Sequence, residues 1–327
     1  MTEPTPLVDP TPLVDVATGY MSAKQLFAAS ELGVFSALGL GPATALELAE
    51  RAELPERSAR ILADAMVGLG ILAHEEGRYR NTPVSEAYLA GREGLDLRPW
   101  LAFWDALSYP HWLHYTQSMR TAQPGPFELG EANMGAFLNG VQTYNSLHAV
   151  MLAEHYDFRL HRSVLDLGGL SAAFLAEAAA RNPELTGAFV GPADSVESVR
   201  GSVPAGVADR ISFHAADPLT DEVPGTYDAV LLEHVIHRFD AEQNKRILRA
   251  ARSVVEPGGR VLVLDFLLLA ADARRLDPVL AGEYLVVDGT VVYPEAEVHE
   301  WLAETGWKVL ETRPLPGSPR VVIAEAV

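Results

Sequence analysis

Residues Val164-Leu165-Asp166-Leu167-Gly168-Gly169-Leu170-Ser171-Ala172 pass from an aliphatic run directly into a glycine turn and on into a helical pattern. Such a run suits a strand buried on both faces of a parallel sheet. A helix that begins after a tight glycine turn presents backbone N–H groups to a ligand. In nucleotide-binding fingerprints of this type, later glycines let the ligand approach the main chain and let the helix pack closely on the strand. Leu170 and Ala172 occupy those places here. The stretch predicts an α/β fold, with a leucine side chain where a ligand would meet backbone.

The rest of the chain from Ser163 onward agrees. Strand patterns at 164–167, 187–190, 211–214, 229–232 and 260–264 alternate with helical patterns, one to about Asn182 and one over 244–255. Alternation of this kind predicts a parallel sheet with helices on both faces and ligands at the C-terminal strand ends. Asp166, Asp217, the segment Glu233 to His237, and Asp265 all fall at such ends, so they are expected to converge on one crevice.

The N-terminal part has a different pattern. Residues 4–9 and 10–15 repeat Pro-Thr-Pro-Leu-Val-Asp, which is too short for a solenoid and too proline-rich for a helix. Residues 1–16 are therefore read as a flexible or partner-clasping arm. A helix is expected from Ala17 to about Leu38, a second opening at Thr44 with Glu47 three residues on in a capping box, and a third from Ser58 to Leu72. The segment from Leu72 to Arg80 reads as a hairpin around a glycine turn. Helices followed by a hairpin make a winged-helix outline over 17–96. The third helix is mostly alanine and aliphatic, which favours packing or dimerisation over DNA contact. Residues 97–160 are helical in pattern and rich in aromatic side chains, and are read as a linker lining a substrate pocket. Its candidate lining residues are Trp104, Tyr109, Trp112, Tyr144, Asn145 and His148, joined by His234 and Arg238 of the following domain, 161–327.

A formal charge of -19 argues against a nucleic-acid partner, which needs a basic face. With no cysteine, disulfides and thiol nucleophiles are excluded, and the ten histidines form no familiar metal motif, so no metal is expected. Neither a membrane span nor a signal peptide is supported, and a cytoplasmic location is expected.

The whole arrangement resembles the class I S-adenosylmethionine-dependent O-methyltransferases of natural-product biosynthesis. The most specific stretch is Leu232-Glu233-His234-Val235-Ile236-His237-Arg238-Phe239-Asp240, followed by Ile247-Leu248-Arg249 and Pro257-Gly258-Gly259. The resemblance implies a Rossmann-like domain, an N-terminal winged-helix-type dimerisation domain and a homodimer. It places the family's general base at His237, with Arg238 where the family has aspartate, and leaves Asp265 to orient the histidine. A second family carboxylate aligns near Val292. The cofactor contacts implied are Asp166, Gly168 and Gly169, with Asp217 for the adenine, whereas Gly191 stands where a ribose-binding carboxylate is expected and Asp194 is a substitute three residues on.

The joint departures at Leu170, Ala172 and Gly191, beside a kept His237, lead to the expectation of a tailoring enzyme acting on a small aromatic substrate without S-adenosylmethionine. His237 would activate a nucleophile or the substrate. An S-adenosylmethionine-dependent O-methyltransferase is the alternative, and an inactive family member serving as a binding or dimer partner is the third. Arg238 is read as either a solvated residue or an anion partner entering the site, with the surface favoured.

Overall fold

The computed structural model describes residues 8–126, 130–269, 272 and 274–327, with the side chains of 131 and 132 also left aside. Two compact units emerge, one of residues 1–109 and 130–143, the other of 110–129 and 144–327. The division falls inside the aromatic stretch 97–160.

In the first unit, helices Thr11–Glu31, Val34–Leu38, Ala45–Arg51 and Glu56–Gly68 precede a two-stranded ribbon of β1 (Leu72–Glu75) and β2 (Arg78–Asn81). Ala43 bridges to Tyr79, adding a short third rung to the ribbon. The second copy of the N-terminal repeat corrects the expected arm: it is helical from Thr11, while residues 4–7 of the first copy lie outside the described residues. Pro12 falls in the first turn, where the missing N–H has no partner to lose. The capping box at Thr44 forms as expected, with the Thr44 amide donating to Glu47 Oε2 at 2.8 Å and the Glu47 amide to Thr44 Oγ1 at 3.3 Å. Gly33, at φ 73°, breaks the first long helical pattern into two.

The second unit is built on β3 (Ser163–Leu167), β4 (Thr186–Gly191), β5 (Ile211–Ala215), β6 (Tyr227–Glu233), β7 (Val255–Asp265), β8 (Trp307–Pro314) and β9 (Arg320–Ala326). Among the described residues these form one sheet in the order β5-β4-β3-β6-β7-β9-β8. The first five strands run parallel and β9 is antiparallel to both neighbours. Strand order reverses between β3 and β6, the place where ligands bind in open α/β sheets.

Period-two alternation divides the sheet between two cores. Val164, Ala229 and Leu231 pack on one face, Leu165, Leu167, Val230 and Leu232 on the other. By the same parity Asp166 and Glu233 share the first face at the strand ends, and both are fully buried.

The helix Leu276–Val287 is tied to the sheet through ions. Arg320, paired in register with Asp265, donates to Asp277 Oδ2 through Nε at 3.0 Å and Nη2 at 2.8 Å. Arg274 also donates to Asp277, at 2.8 Å. Asp277→Ala would leave two guanidinium groups short of a buried partner. It is expected to cost about 3 kcal/mol, read as a lower denaturant midpoint at unchanged slope.

Candidate active site

The glycine turn after β3 is held on both sides. Gly168, at φ 78°, donates its N–H to Val190 O at 2.7 Å. The Gly169 amide donates to Asp166 Oδ1 at 3.2 Å and the Leu170 amide to Glu233 Oε1 at 3.2 Å. A Cβ on Gly169 would collide with those two carboxylate oxygens, so glycine is required there. Each carboxylate thus uses one oxygen on the loop. The other oxygens, Asp166 Oδ2 and Glu233 Oε2, are buried with no hydrogen-bond partner.

Burial pushes the Asp166 carboxyl up to about 8, against the Gly169 N–H and the Arg238 charge. Burial, then repulsion from Asp166, raises Glu233 well above the usual carboxylate range. Arg238 comes from the turn after β6, and its Nη2 donates to the carbonyl of Gly168. It is half-buried rather than the solvated side chain favoured from sequence, turned inward by its bond to that carbonyl. Its Nε has no partner, and its guanidinium carbon stands 5.6 Å from the Phe239 ring centroid.

His237 and Asp265 meet beside this group. His237 Nδ1 lies 2.9 Å from Asp265 Oδ2, and the His237 amide donates to the same oxygen at 3.3 Å. Burial alone would raise the Asp265 carboxyl, but His237, through its charge and hydrogen bond, brings it below its ordinary value. Tyr284 covers the imidazole at 4.7 Å between ring centroids. The Val291 amide donates to His237 O at 3.2 Å, so the segment expected to carry a second carboxylate does reach the site, where Val292 is an apolar buried residue.

A second histidine pair lies close by. His148 Nδ1 is 2.8 Å from His234 Nε2, and Tyr144 packs on His148 at 3.9 Å. Burial pushes His234 down to about 4 and His148 well below its ordinary value, so both are neutral. Ligand atoms of His234, His237 and Asp265 lie within 4.8 Å of one another, so these strand ends converge as expected, though in a grouping with metal-ligand spacing that no sequence motif gave. The hydrogen bonds His237–Asp265 and His148–His234 already engage these groups.

The other predicted residues are dispersed. Trp112 Nε1 donates to the buried Glu283 Oε2 at 2.6 Å. Asn145 is buried on the helix Glu131–His155. Trp104 and Tyr109 belong to the first unit, where Trp104 packs edge-on to Trp100 and Tyr109 lies under the Lys24 ammonium. Asp217 Oδ1 accepts from the Leu219 amide at 2.9 Å, capping its own turn. Asp194 stands exposed on the helix Ala193–Gly201, three residues on from Gly191.

The sequence placed Glu233 in the strand-end cluster without giving it a bond to the loop, and Asn244 was missed. The Asn244 amide donates to Ile236 O at 2.9 Å and to Phe239 O at 3.0 Å, clamping the turn that carries His237 and Arg238. A buried asparagine one turn after the Asp240 cap was the available signal.

The chain matches the O-methyltransferase domain family over residues 125–308 and the O-methyltransferase dimerisation domain family over residues 14–91. It belongs to the O-methyltransferase family. A 3-hydroxy-5-methyl-1-naphthoate 3-O-methyltransferase of Streptomyces sahachiroi is 33% identical over 266 residues, 78% of this chain and 76% of that protein. The aclacinomycin 10-hydroxylase RdmB of Streptomyces purpurascens is 40% identical over 116 residues, 35% of this chain and 30% of that one. The apo structure of the S-adenosylmethionine-dependent methyltransferase SibL superposes with a TM-score of 0.84 at 29% identity, covering 97% of this O-methyltransferase chain and 99% of that one. Among the described residues no helix is long and apolar enough to cross a membrane.

Asn244→Ala is expected to lower stability by about 1–3 kcal/mol, the cost of stripping two carbonyls of a buried donor, with a parallel fall in activity. The buried acids give a second expectation. A carboxyl raised above its unfolded value stabilises the fold at low pH, and that contribution is lost as pH rises towards about 8 for Asp166. Glu233→Gln should therefore gain stability relative to the parent as pH rises from 4 to 8, measured by thermal unfolding across that range.

Proposed function

We propose that this O-methyltransferase moves a methyl group from S-adenosylmethionine to a hydroxyl of a small aromatic natural product, as a homodimer, with His237 as general base. The His237–Asp265 hydrogen bond at 2.9 Å carries this reading. An ionised Asp265 accepts the proton on Nδ1, which fixes the neutral tautomer with a lone pair on Nε2. Nε2 is then the atom that takes the hydroxyl proton, and Asp265 stabilises the imidazolium that results. Tyr284 covers one side of the ring and limits its rotation. Tyr144, His148 and His234, grouped near His237, are assigned to the substrate side. The dimerisation-family match supports the homodimer, and the naphthoate methyltransferase relative supports an aromatic hydroxyl as acceptor.

The donor, when bound, supplies an electrophilic methyl on a sulfonium. Its cationic amino-acid end suits Asp166 and Glu233, whose outer oxygens have no partner. Asp217 is the residue for the adenine, while the ribose meets Gly191 and gains no carboxylate. Losing that charged hydrogen bond weakens the hold by about 1.5–3 kcal/mol per bond. Cofactor-independent chemistry, expected from the loop departures, gives way here because the folded loop offers a cation two buried acids. Family membership points the same way.

His237→Ala should lower kcat by about 10²–10⁴-fold with binding of S-adenosylhomocysteine unchanged. Asp265→Asn should do comparable damage, because an amide can donate to Nδ1 and put the proton on Nε2. Incorporation of labelled methyl by the two variants is the measurement, and full activity of His237→Ala would remove the base assignment.

A further inference from the structure

We infer, building on the donor-binding reading above, that Arg238 occupies the place of the donor's α-ammonium group and thereby sets the affinity for the donor. Three observations converge. The Arg238 guanidinium donates to the Gly168 carbonyl, the acceptor that the glycine turn exposes at the strand-order reversal between β3 and β6. Burial lowers the Arg238 guanidinium below its ordinary value, and Glu233, Asp265 and Asp166 near it offset part of that cost. Asp166 Oδ2 and Glu233 Oε2 lie buried without a hydrogen-bond partner at the same turn, so the Gly168 carbonyl is the acceptor there that Arg238 holds.

An ammonium and a guanidinium ask for the same partners, a carbonyl and carboxylate oxygens. Two cations side by side in a site of low dielectric repel strongly, so one excludes the other. Arg238 is also a displaceable occupant. Its Nε has no hydrogen bond, no carboxylate forms an ion pair with it among the described residues, and the Phe239 ring offers its guanidinium an aromatic face. The amino-acid end of the donor therefore competes with a side chain of the protein, while the adenosine part does not.

Isothermal titration of the full chain and of Arg238→Gln with S-adenosylhomocysteine and with 5′-methylthioadenosine, which lacks the amino-acid end, tests this. In the parent chain the two ligands should bind within about threefold of each other, because the ammonium finds its place taken. In Arg238→Gln, S-adenosylhomocysteine should tighten by at least about tenfold and 5′-methylthioadenosine should not change. Weaker or unchanged S-adenosylhomocysteine binding in the variant would overturn the inference and leave the donor reading standing. So would a parent chain that prefers S-adenosylhomocysteine by about tenfold or more, an arm that does not depend on the variant folding. If neither ligand binds either protein at millimolar concentration, the donor reading falls together with the inference.

Discussion

Two carboxyl groups buried against a single glycine set the geometry of the ligand end of this sheet. Asp166 and Glu233 arrive on neighbouring strands with the same parity, so both point to one face and both reach Gly169. Neither can be hydrated there. Each recovers part of its desolvation cost from loop amides, and Arg238 from the next turn reaches the carbonyl of the same glycine turn. The loop conformation and the glycine at 169 follow from that burial.

The His237–Asp265 pair sits on the opposite parity. Asp265 ends β7 in phase with Val261 and Val263, which pack in the second core, and it meets a histidine delivered by the turn after β6. That turn is unusual in its backbone. His234 has φ 52°, a left-handed conformation for a residue with a side chain, and its amide donates to Leu264 O at 2.9 Å. The twist turns the chain so that His234 faces His148 while His237, three residues on, faces Asp265. Asn244 then closes the turn from the following helix. Strain of this sort persists only where the surroundings over-determine it, and here a ladder bond, an imidazole pair and an asparagine clamp do so.

The sheet and the strand-end acids were legible in the sequence because both rest on local rules: period-two burial, glycine turns and alternation of elements. The capping box at Thr44 and the 72–81 hairpin were legible for the same reason. The C-terminal hairpin of β8 and β9 was not resolved as strands, because its outer strand Trp307–Pro314 alternates into solvent and carries charges that mimic a loop. The repeat Pro-Thr-Pro-Leu-Val-Asp misled by composition, since a proline in the first helical turn costs nothing. At the site, His237 and Asp265 could be matched from the family pattern, but the inward path of Arg238 could not. That path leads to the Gly168 carbonyl, an acceptor seventy residues earlier in the chain that no local rule connects to it.

The departures from the family loop are better understood as one coupled change than as separate losses. Gly191 leaves the ribose end without an acid, while Glu233 is a titratable carboxyl beneath the glycine turn, held towards its neutral form, and Arg238 is a cation beside it. Considered alone, Glu233 would be a severe defect, a second carboxyl forced next to Asp166 in a dry site. Arg238 without Glu233 would be a guanidinium facing a single acid and a carbonyl. Together they are mutually compensating, and the loop amides of Gly169 and Leu170 divide between the two carboxylates in a way that neither acid achieves by itself. The titratable groups of this end of the sheet are therefore gathered at the junction of β3 and β6, where Asp166, Glu233 and Arg238 meet, rather than at the end of β4.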